Sequence, residues 1–114
     1  MVAVIFEVFP AKGKWDEYLD IASELKPTLS KVEGFISIER FQSITDPEKI
    51  LSLSFWRDEE SIAYWRNMEM HRMAQKKGRN SIFANYRLRV ATVVRDYGMN
   101  EREQAPSDSK SVHN

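Results

Sequence analysis

The chain has 114 residues, a length that fits a single domain. It carries 17 basic and 17 acidic residues, so its charge balance does not favour nucleic acid or an anionic membrane surface as a partner. It has no cysteine, which excludes disulfides, a thiolate nucleophile and a cysteine-based metal site. The longest apolar stretch, Val2–Phe9, is too short to span a bilayer and lacks the features of a signal peptide. We therefore expect a cytoplasmic protein.

The first half of the chain predicts a strand, a helix and a second strand. Val2–Phe9 is β-branched and aromatic, which predicts a strand with apolar residues on both faces. After a turn, apolar residues recur at steps of three and four and predict one buried helix face: Trp15, Tyr18, Ala22, Leu25 and Leu29. Pro27 should kink or interrupt this helix because it cannot donate a backbone hydrogen bond. Phe35–Ile44 predicts the second strand.

The second half predicts a strand, a helix and a final strand. Ile50–Trp56 should pair with the preceding strand as an antiparallel hairpin. Asp58 is a good N-cap for a second helix, whose buried stripe should hold Ile62, Trp65 and Met68. Residues 83–97 predict a long strand. Its alternation places Tyr86, Leu88 and Val90 on one face, with Phe83, Arg87 and Arg89 on the other.

This order predicts an α+β domain, a ferredoxin-like βαββαβ sandwich with both helices on one face of an antiparallel sheet. The other face should also be apolar, because the first and third strands carry apolar residues on both sides. Monomers rarely expose such a face, so we expect a homodimer packed sheet to sheet. The domain should span residues 1–98. Residues 99–114 are polar and are expected to be a disordered tail.

The stretch Ser54–Trp65, followed by His71 and Gly78-Arg79, resembles the antibiotic-biosynthesis-monooxygenase-like family. Val32–Phe35 and Tyr86–Val90 fit the same pattern, and the likeness covers roughly residues 1–98. The resemblance implies a dimeric α+β barrel, in agreement with the dimer expected from the apolar faces. The family includes cofactor-independent oxygenases of polyketide quinone synthesis, quinol oxygenases, haem-degrading enzymes and proteins without an assigned substrate.

Two residues are candidates for catalysis. Trp65 would line a ligand cavity, since the family's oxygenases have an aromatic residue at this place; otherwise it is a core residue. His71 could accept a phenol proton, because histidine titrates near neutral pH. The family's oxygenases often have a tyrosine at its place, and the alternative is a surface histidine near a helix end.

Three further residues are candidates for substrate binding. Ser61 stands where some family oxygenases have an asparagine, and its hydroxyl could hydrogen-bond a substrate. Tyr86 could line a pocket on the helix side with its ring and hydroxyl. Arg87, on the opposite face, could anchor an anionic oxygen, or it could pair with a carboxylate such as Glu39 or Glu7.

No cofactor is expected. The two histidines form no metal-ligand cluster of recognised spacing, and no glycine-rich phosphate loop supports flavin or nicotinamide binding. The family's haem degraders have an asparagine on strand one and a histidine some way beyond the tryptophan of helix two. Here the first place offers Phe6 and Glu7, and the second holds Gln75, so haem degradation is disfavoured.

The sequence therefore predicts a cofactor-independent monooxygenase that acts on a small phenolic or quinol-type aromatic substrate. Two alternatives stay open. The chain could be a non-enzymatic dimeric module that binds a small aromatic ligand, or a haem-binding relative that lacks the haem-degrading residues. Oxygen uptake separates an enzyme from a binder, and a haem titration tests the third hypothesis. Neither nucleic acid nor a membrane is an expected partner.

Overall fold

A computed structural model describes residues 1–74 and 82–109, without the side chains of residues 69–74. The elements follow the predicted order of strand, helix, strand, strand, helix and strand. They are β1 (Val2–Pro10), α1 (Trp15–Leu29), β2 (Phe35–Gln42), β3 (Ile50–Trp56), α2 (Glu59–Ala74) and β4 (Phe83–Thr92). None of the helices in the described ranges is long and apolar enough to cross a membrane.

The four strands form one sheet in the order β2-β3-β1-β4, and every neighbouring pair is antiparallel. This is the ferredoxin-like arrangement of two interleaved strand–helix–strand halves. Along β3, buried residues alternate strictly with half-buried ones, so the helices cover one face of the sheet. The predicted α+β fold class is confirmed.

The core lies between the two helices and this covered face. Its buried side chains come from α1, α2 and both central strands: Tyr18, Ile21, Leu25, Leu29, Ile62, Trp65, Val2, Val8, Ile50 and Trp56. The stripe predicted for α2 is confirmed, with Met68 partly buried against the core. In α1, Ile21 is buried and Ala22 is only half-buried. α1 continues as one helix through Pro27.

The register distinguishes the two ends of β1. At one end Val2 pairs with Trp56 on β3, and at the other Val8 pairs with Ile50 on β3 and Tyr86 on β4. These ends are about 20 Å apart along the strand. β3 finishes beside Val2, and β4 begins beside Pro10. The connection through α2 therefore carries the chain from the Val2 end to the Val8 end.

A β-bulge changes the start of β4. Phe9 pairs with Asn85 and Pro10 with Phe83, so the register shifts and Ala84 is the extra residue. The Phe83 ring consequently lies on the helix side, where it contacts Phe6 and Tyr86 edge to face. The prediction that Phe83 shares the face of Arg87 and Arg89 was wrong, because simple alternation does not allow for a bulge.

The sheet face away from the helices has an ion-pair group among apolar side chains. Glu7 on β1 contacts the Lys49 Nζ at 3.0 Å and the Arg89 Nη1 at 3.1 Å. Hydrogen bonds from Lys49, and then from Arg89, lower the pKa of the Glu7 carboxyl below its ordinary value. The same face carries three half-buried apolar residues of β3, of which Leu51 lies beside Glu7 and Leu53 and Phe55 lie further along the strand. A homodimer formed through this face stays a prediction.

β4 ends at Thr92, earlier than the predicted Tyr97. Beyond it, residues 96–109 carry hydrogen bonds of their own. The Asp96 amide donates to the Gln104 Oε1 at 2.9 Å, and the Arg102 guanidinium donates to the Gly98 carbonyl at 3.0 Å. The domain boundary at residue 98 and the disorder expected from residue 99 stay predictions.

Candidate active site

The Val2 end of the helix–sheet layer is tightly packed, and we call it the closed end; it comprises Val2, Gly34, Trp56 and Ser61. Trp56 is only 1% exposed, and its indole Nε1 donates a 2.8 Å hydrogen bond to the Ser54 hydroxyl. Gly34 has a φ of +92°, and a Cβ at this position would lie 2.8 Å from the Ser61 Cβ. Only glycine satisfies both the backbone conformation and this close approach.

Ser61 takes part in capping α2. The Asp58 Oδ1 accepts hydrogen bonds from the Ser61 amide at 2.9 Å and from its hydroxyl at 2.8 Å, so Asp58 is the expected N-cap. These two bonds, followed by one from Arg57, lower the pKa of Asp58 to about 2. The serine hydroxyl therefore already donates its hydrogen bond within the protein, to Asp58, and not to a ligand.

A surface cleft of about 470 Å³ adjoins this cap. Its lining residues are mostly polar and charged: Lys31, Val32, Glu33, Arg57, Glu60, Ser61 and Tyr64. Arg57 bonds Asp58 at 3.1 Å and Glu33 at 3.3 Å, so its charge is already balanced by two carboxylates. The cleft lacks the apolar walls that a flat aromatic substrate requires.

The Val8 end is different, and we call it the open end; it comprises Phe6, Phe83, Tyr86 and Leu88. The rings of Phe6, Phe83 and Tyr86 meet edge to face, with centroids 5.6–6.0 Å apart. Tyr18 of α1 joins the group through Phe83 at 5.9 Å. Tyr86 is nevertheless 55% exposed and Leu88 48% exposed, although both lie on the helix-facing side. The open end is a partly exposed aromatic cluster on the helix-facing side of the sheet, which we call the aromatic recess.

The five predicted site residues do not meet at one place. Trp65 is 8% exposed and belongs to the buried core, and Tyr86 lies in the open end. Ser61 is at the closed end. Arg87 lies opposite Glu7 in the β1–β4 register and projects from the face away from the helices, whereas the ion pairs of Glu7 are with Lys49 and Arg89. His71 falls in the last turn of α2, and its side chain lies outside the described residues.

Phe6 and Phe83 were missed as candidate site residues. Phe6 was visible in the sequence as an aromatic residue of an apolar strand, and the pairing of β1 with β4 is what brings it to Tyr86. Phe83 could not be found by alternation because of the bulge. Arg40 was also missed, although it stands two residues after Ile38 and therefore shares its covered face.

The fold is that of a small α+β protein whose helices cover one face of the sheet, with a partly exposed aromatic cluster at one end of the layer. The chain belongs to the antibiotic biosynthesis monooxygenase family, whose sequence model matches residues 1–77. Among curated proteins, it is 48% identical over 101 residues to the "Jasmonate monooxygenase ABM" of Pyricularia oryzae. That match covers 89% of this chain and 47% of the relative, so the chain spans about half of the relative's length.

More distant matches agree with this assignment. An uncharacterised protein of Bacillus subtilis, YqjZ, is 27% identical over 93 residues, which cover 82% of this chain and 79% of that protein. A solved structure from Mycobacterium tuberculosis superposes with a TM-score of 0.72 at 13% identity, covering 85% of this chain and 98% of the other. The heme-degrader MhuD of the same organism, solved with two hemes in its active site, gives 0.67 at 18% identity, covering 86% and 100%. At such identities the structural matches establish the fold alone.

Proposed function

We propose that this chain is a monooxygenase that acts, without a bound cofactor, on a small flat aromatic substrate of the phenol or quinol type. The observation that supports this most is the aromatic recess of the open end. Phe6, Phe83 and Tyr86 offer three rings to one space, and Tyr86 remains more than half exposed there. A pocket for a flat apolar substrate requires such walls with a few polar groups to orient it.

The proposed chemistry uses the electrons of the substrate itself. Loss of a proton from a phenol or quinol gives an electron-rich anion that can reduce oxygen. One oxygen atom then enters the substrate, and the other leaves as water with two hydrogens from the substrate. The protein has to exclude water, hold the ring and accept the phenol proton.

We assign these tasks to residues near the recess. Tyr86 would hold the substrate with its ring and hydroxyl, and Trp65 would form the inner wall on α2. His71 would be the base, because α2 runs from the closed end towards the open end and His71 lies in its last turn. Ser61 and Arg87 have no role in this proposal, since neither borders the recess.

The relatives suggest two alternatives within the same site. The 48% identical relative is named for jasmonate, so jasmonate is a candidate substrate here. The structural similarity to MhuD keeps haem as a candidate ligand. Against haem degradation stands Phe6, whose ring belongs to the aromatic group of the open end, where the family's haem degraders have an asparagine on strand one.

Oxygen uptake by the metal-free protein tests the proposal. The substrates are naphthoquinols, hydroxyanthrones and jasmonate, each compared with its uncatalysed rate. We expect uptake with at least one quinol, and a His71→Ala variant about a hundredfold slower or worse, the usual size of a general-base contribution. His113→Ala, which changes the other histidine, should react like the wild type.

Uncatalysed rates throughout, together with saturable binding of the same compounds, would favour a non-enzymatic binding module. A Soret band that appears at one or two equivalents of haem would favour a haem-binding protein. Equal activity of His71→Ala and the wild type would remove the assignment of the base while leaving the monooxygenase proposal in place.

We also propose that the chain acts as a homodimer joined through the sheet face away from the helices. This face carries the half-buried Leu51, Leu53 and Phe55 as well as the Glu7 ion pairs. Sedimentation at micromolar concentration should give twice the monomer mass. Leu53→Lys should shift the protein to monomers, because it places a charge at the centre of an apolar interface. A compact wild-type monomer would contradict the proposal.

A further inference from the structure

One row of side chains crosses all four strands on the helix-facing side of the sheet. Arg40 on β2 pairs with Ser52 on β3, Ser52 pairs with Phe6 on β1, and Phe6 pairs with Leu88 on β4. Directly paired residues of antiparallel strands project to the same side. The row thus passes from a cation and a hydroxyl to an aromatic ring and an aliphatic side chain.

Arg40 is the exceptional member of this row. It is only half-buried as a residue, but its Nε is shielded from solvent and has no hydrogen-bond partner among the described residues. Arg40 takes part in none of the ion pairs found there. The adjacent Glu39 pairs with Leu53 and therefore projects to the opposite face. A buried donor without a partner destabilises the fold, so its presence calls for another explanation.

Ser52 places a hydroxyl between this cation and the aromatic recess. It is 6% exposed, whereas a covered central strand ordinarily has aliphatic residues at such positions. Its neighbour on the same face, Ser54, has a structural partner in the Trp56 indole. Two strand spacings separate the backbone of Arg40 from that of Phe6, about 10 Å in all. This is the length of a two-ring molecule with one acidic substituent.

We infer that Arg40, together with Ser52, anchors an acidic oxygen of the substrate, carried as a carboxylate or a phenolate by a flat apolar body that lies over Phe6 and Leu88. The inference rests on the proposed function, because it assigns the orientation of the substrate in the same recess. A guanidinium suits this role, since its planar N–H groups match an oxyanion and its charge persists at all physiological pH values.

The test compares the binding of matched naphthalene ligands, measured by calorimetry or by intrinsic fluorescence. At pH 7 the wild type should bind 2-naphthoate about 10- to 100-fold more tightly than the neutral 2-naphthamide, the usual benefit of a charge-assisted hydrogen bond. Arg40→Met should abolish this preference, and Ser52→Ala should reduce it by about 2- to 10-fold. Tighter binding of 2-naphthol with rising pH, lost in Arg40→Met, would identify a phenolate instead of a carboxylate.

Stability measurements separate an anchor from a structural arginine. Arg40→Met removes an unpaired buried donor, so its melting temperature should equal or exceed that of the wild type. Arg66→Met, which removes the same charge from an exposed position of α2, should bind like the wild type. Arg40→Lys keeps the charge without the planar donors and should retain only part of the preference.

Three results would overturn the inference: no preference in the wild type, a preference that survives in Arg40→Met, or a Met variant that unfolds or dissociates. The failure of the inference differs from failure of the proposed function. If 2-naphthamide binds and quinols are oxidised without any preference for acids, the anchor is wrong and the function stands. If no ligand binds and no oxygen is consumed, both are wrong.

Discussion

The closed end and the open end of the same helix–sheet layer differ in how completely their side chains are buried and hydrogen-bonded. At the closed end Trp56 is almost fully buried, its indole is hydrogen-bonded, and Gly34 contacts the start of α2 without space for a methyl group. At the open end, aromatic rings meet beside a half-exposed Tyr86. The closed end buries its largest apolar side chain and gives that indole a hydrogen-bond acceptor, as a stable core requires, whereas the open end leaves Tyr86 and Leu88 about half exposed.

The difference separates the residues that identify the family from those that we propose to bind the substrate. Much of the sequence stretch that resembles the family, from Ser54 to Ser61, builds the closed end through the Trp56 bond and the Asp58 cap. These residues specify how β3 passes into α2. The recess depends instead on Phe6, Phe83 and Tyr86, which lie far apart in the sequence.

Gly34→Ala should have the largest effect, because the closed end has no space for a side chain there. The new Cβ would lie 2.8 Å from the Ser61 Cβ, and alanine is strained at a φ of +92°. We expect a loss of about 2–5 kcal/mol in the free energy of unfolding, from backbone strain and overpacking together. Chemical denaturation measures it.

Gly13→Ala is the matched control for this prediction. Gly13 also has a positive φ, +77°, but a Cβ there would meet no atom within 4 Å. Its cost should therefore be the backbone strain alone, about 1–3 kcal/mol. Ser61→Gly in the Gly34→Ala background should recover part of the loss. Equal costs for Gly34→Ala and Gly13→Ala would mean that the contact with Ser61 contributes nothing.

Two substitutions should distinguish the core from the recess: Trp65→Phe should lower the free energy of unfolding, and Tyr86→Ala should weaken ligand binding. Trp65 is 8% exposed, so the smaller ring should leave a cavity and cost about 1–3 kcal/mol in the free energy of unfolding. Tyr86 is 55% exposed, and its truncation should cost less than about 1 kcal/mol. Tyr86→Ala should instead weaken the binding of a flat aromatic ligand, measured by fluorescence titration.

The contrast has clear ways to fail. A Trp65→Phe variant of wild-type stability would mean that Trp65 contributes nothing to the core, whatever its part in the pocket wall. A Tyr86→Ala variant that unfolds would mean that the open end is a structural core. Tyr86→Phe, which keeps the ring and removes the hydroxyl, shows whether any loss of binding comes from stacking or from a hydrogen bond.

Asp58→Asn should have the smallest effect, a small loss of stability near neutral pH that disappears in acid. Folding lowers the pKa of Asp58 from 3.8 to about 2, chiefly through the bonds from Ser61. The carboxylate therefore contributes stability that is present above about pH 4 and is lost as the pH falls through about 2. Asparagine still caps a helix but does not titrate. The variant's melting temperature should fall less between pH 4 and 2 than that of the wild type.

The fold could be predicted because periodicity is local. Strand alternation, the Asp58 cap and the stripe of Ile62 and Trp65 each depend on neighbours a few residues apart. The site could be predicted only in part. Tyr86 was found from the face of its strand, but Phe6 and Arg40 become site residues only through pairing with distant strands. Ser61 was expected to bind substrate because the sequence shows that a hydroxyl is present. It does not show that this hydroxyl donates its hydrogen bond to the Asp58 carboxylate.

The bulge opposite Phe9 and Pro10 determines which side chains of β4 line the recess, while the pairing of the rest of the sheet stays the same. A regular strand places every second side chain on one side, so the four successive residues from Phe83 to Tyr86 could never present both rings to the same space. The extra Ala84 does so by skipping one position of the pleat. If the same residues paired without the bulge, strict alternation would turn Phe83 to the opposite face and take one of the three walls from the recess. Sequence changes that form or remove a bulge at this strand entrance are therefore a direct evolutionary route to new ligand shapes on a constant scaffold.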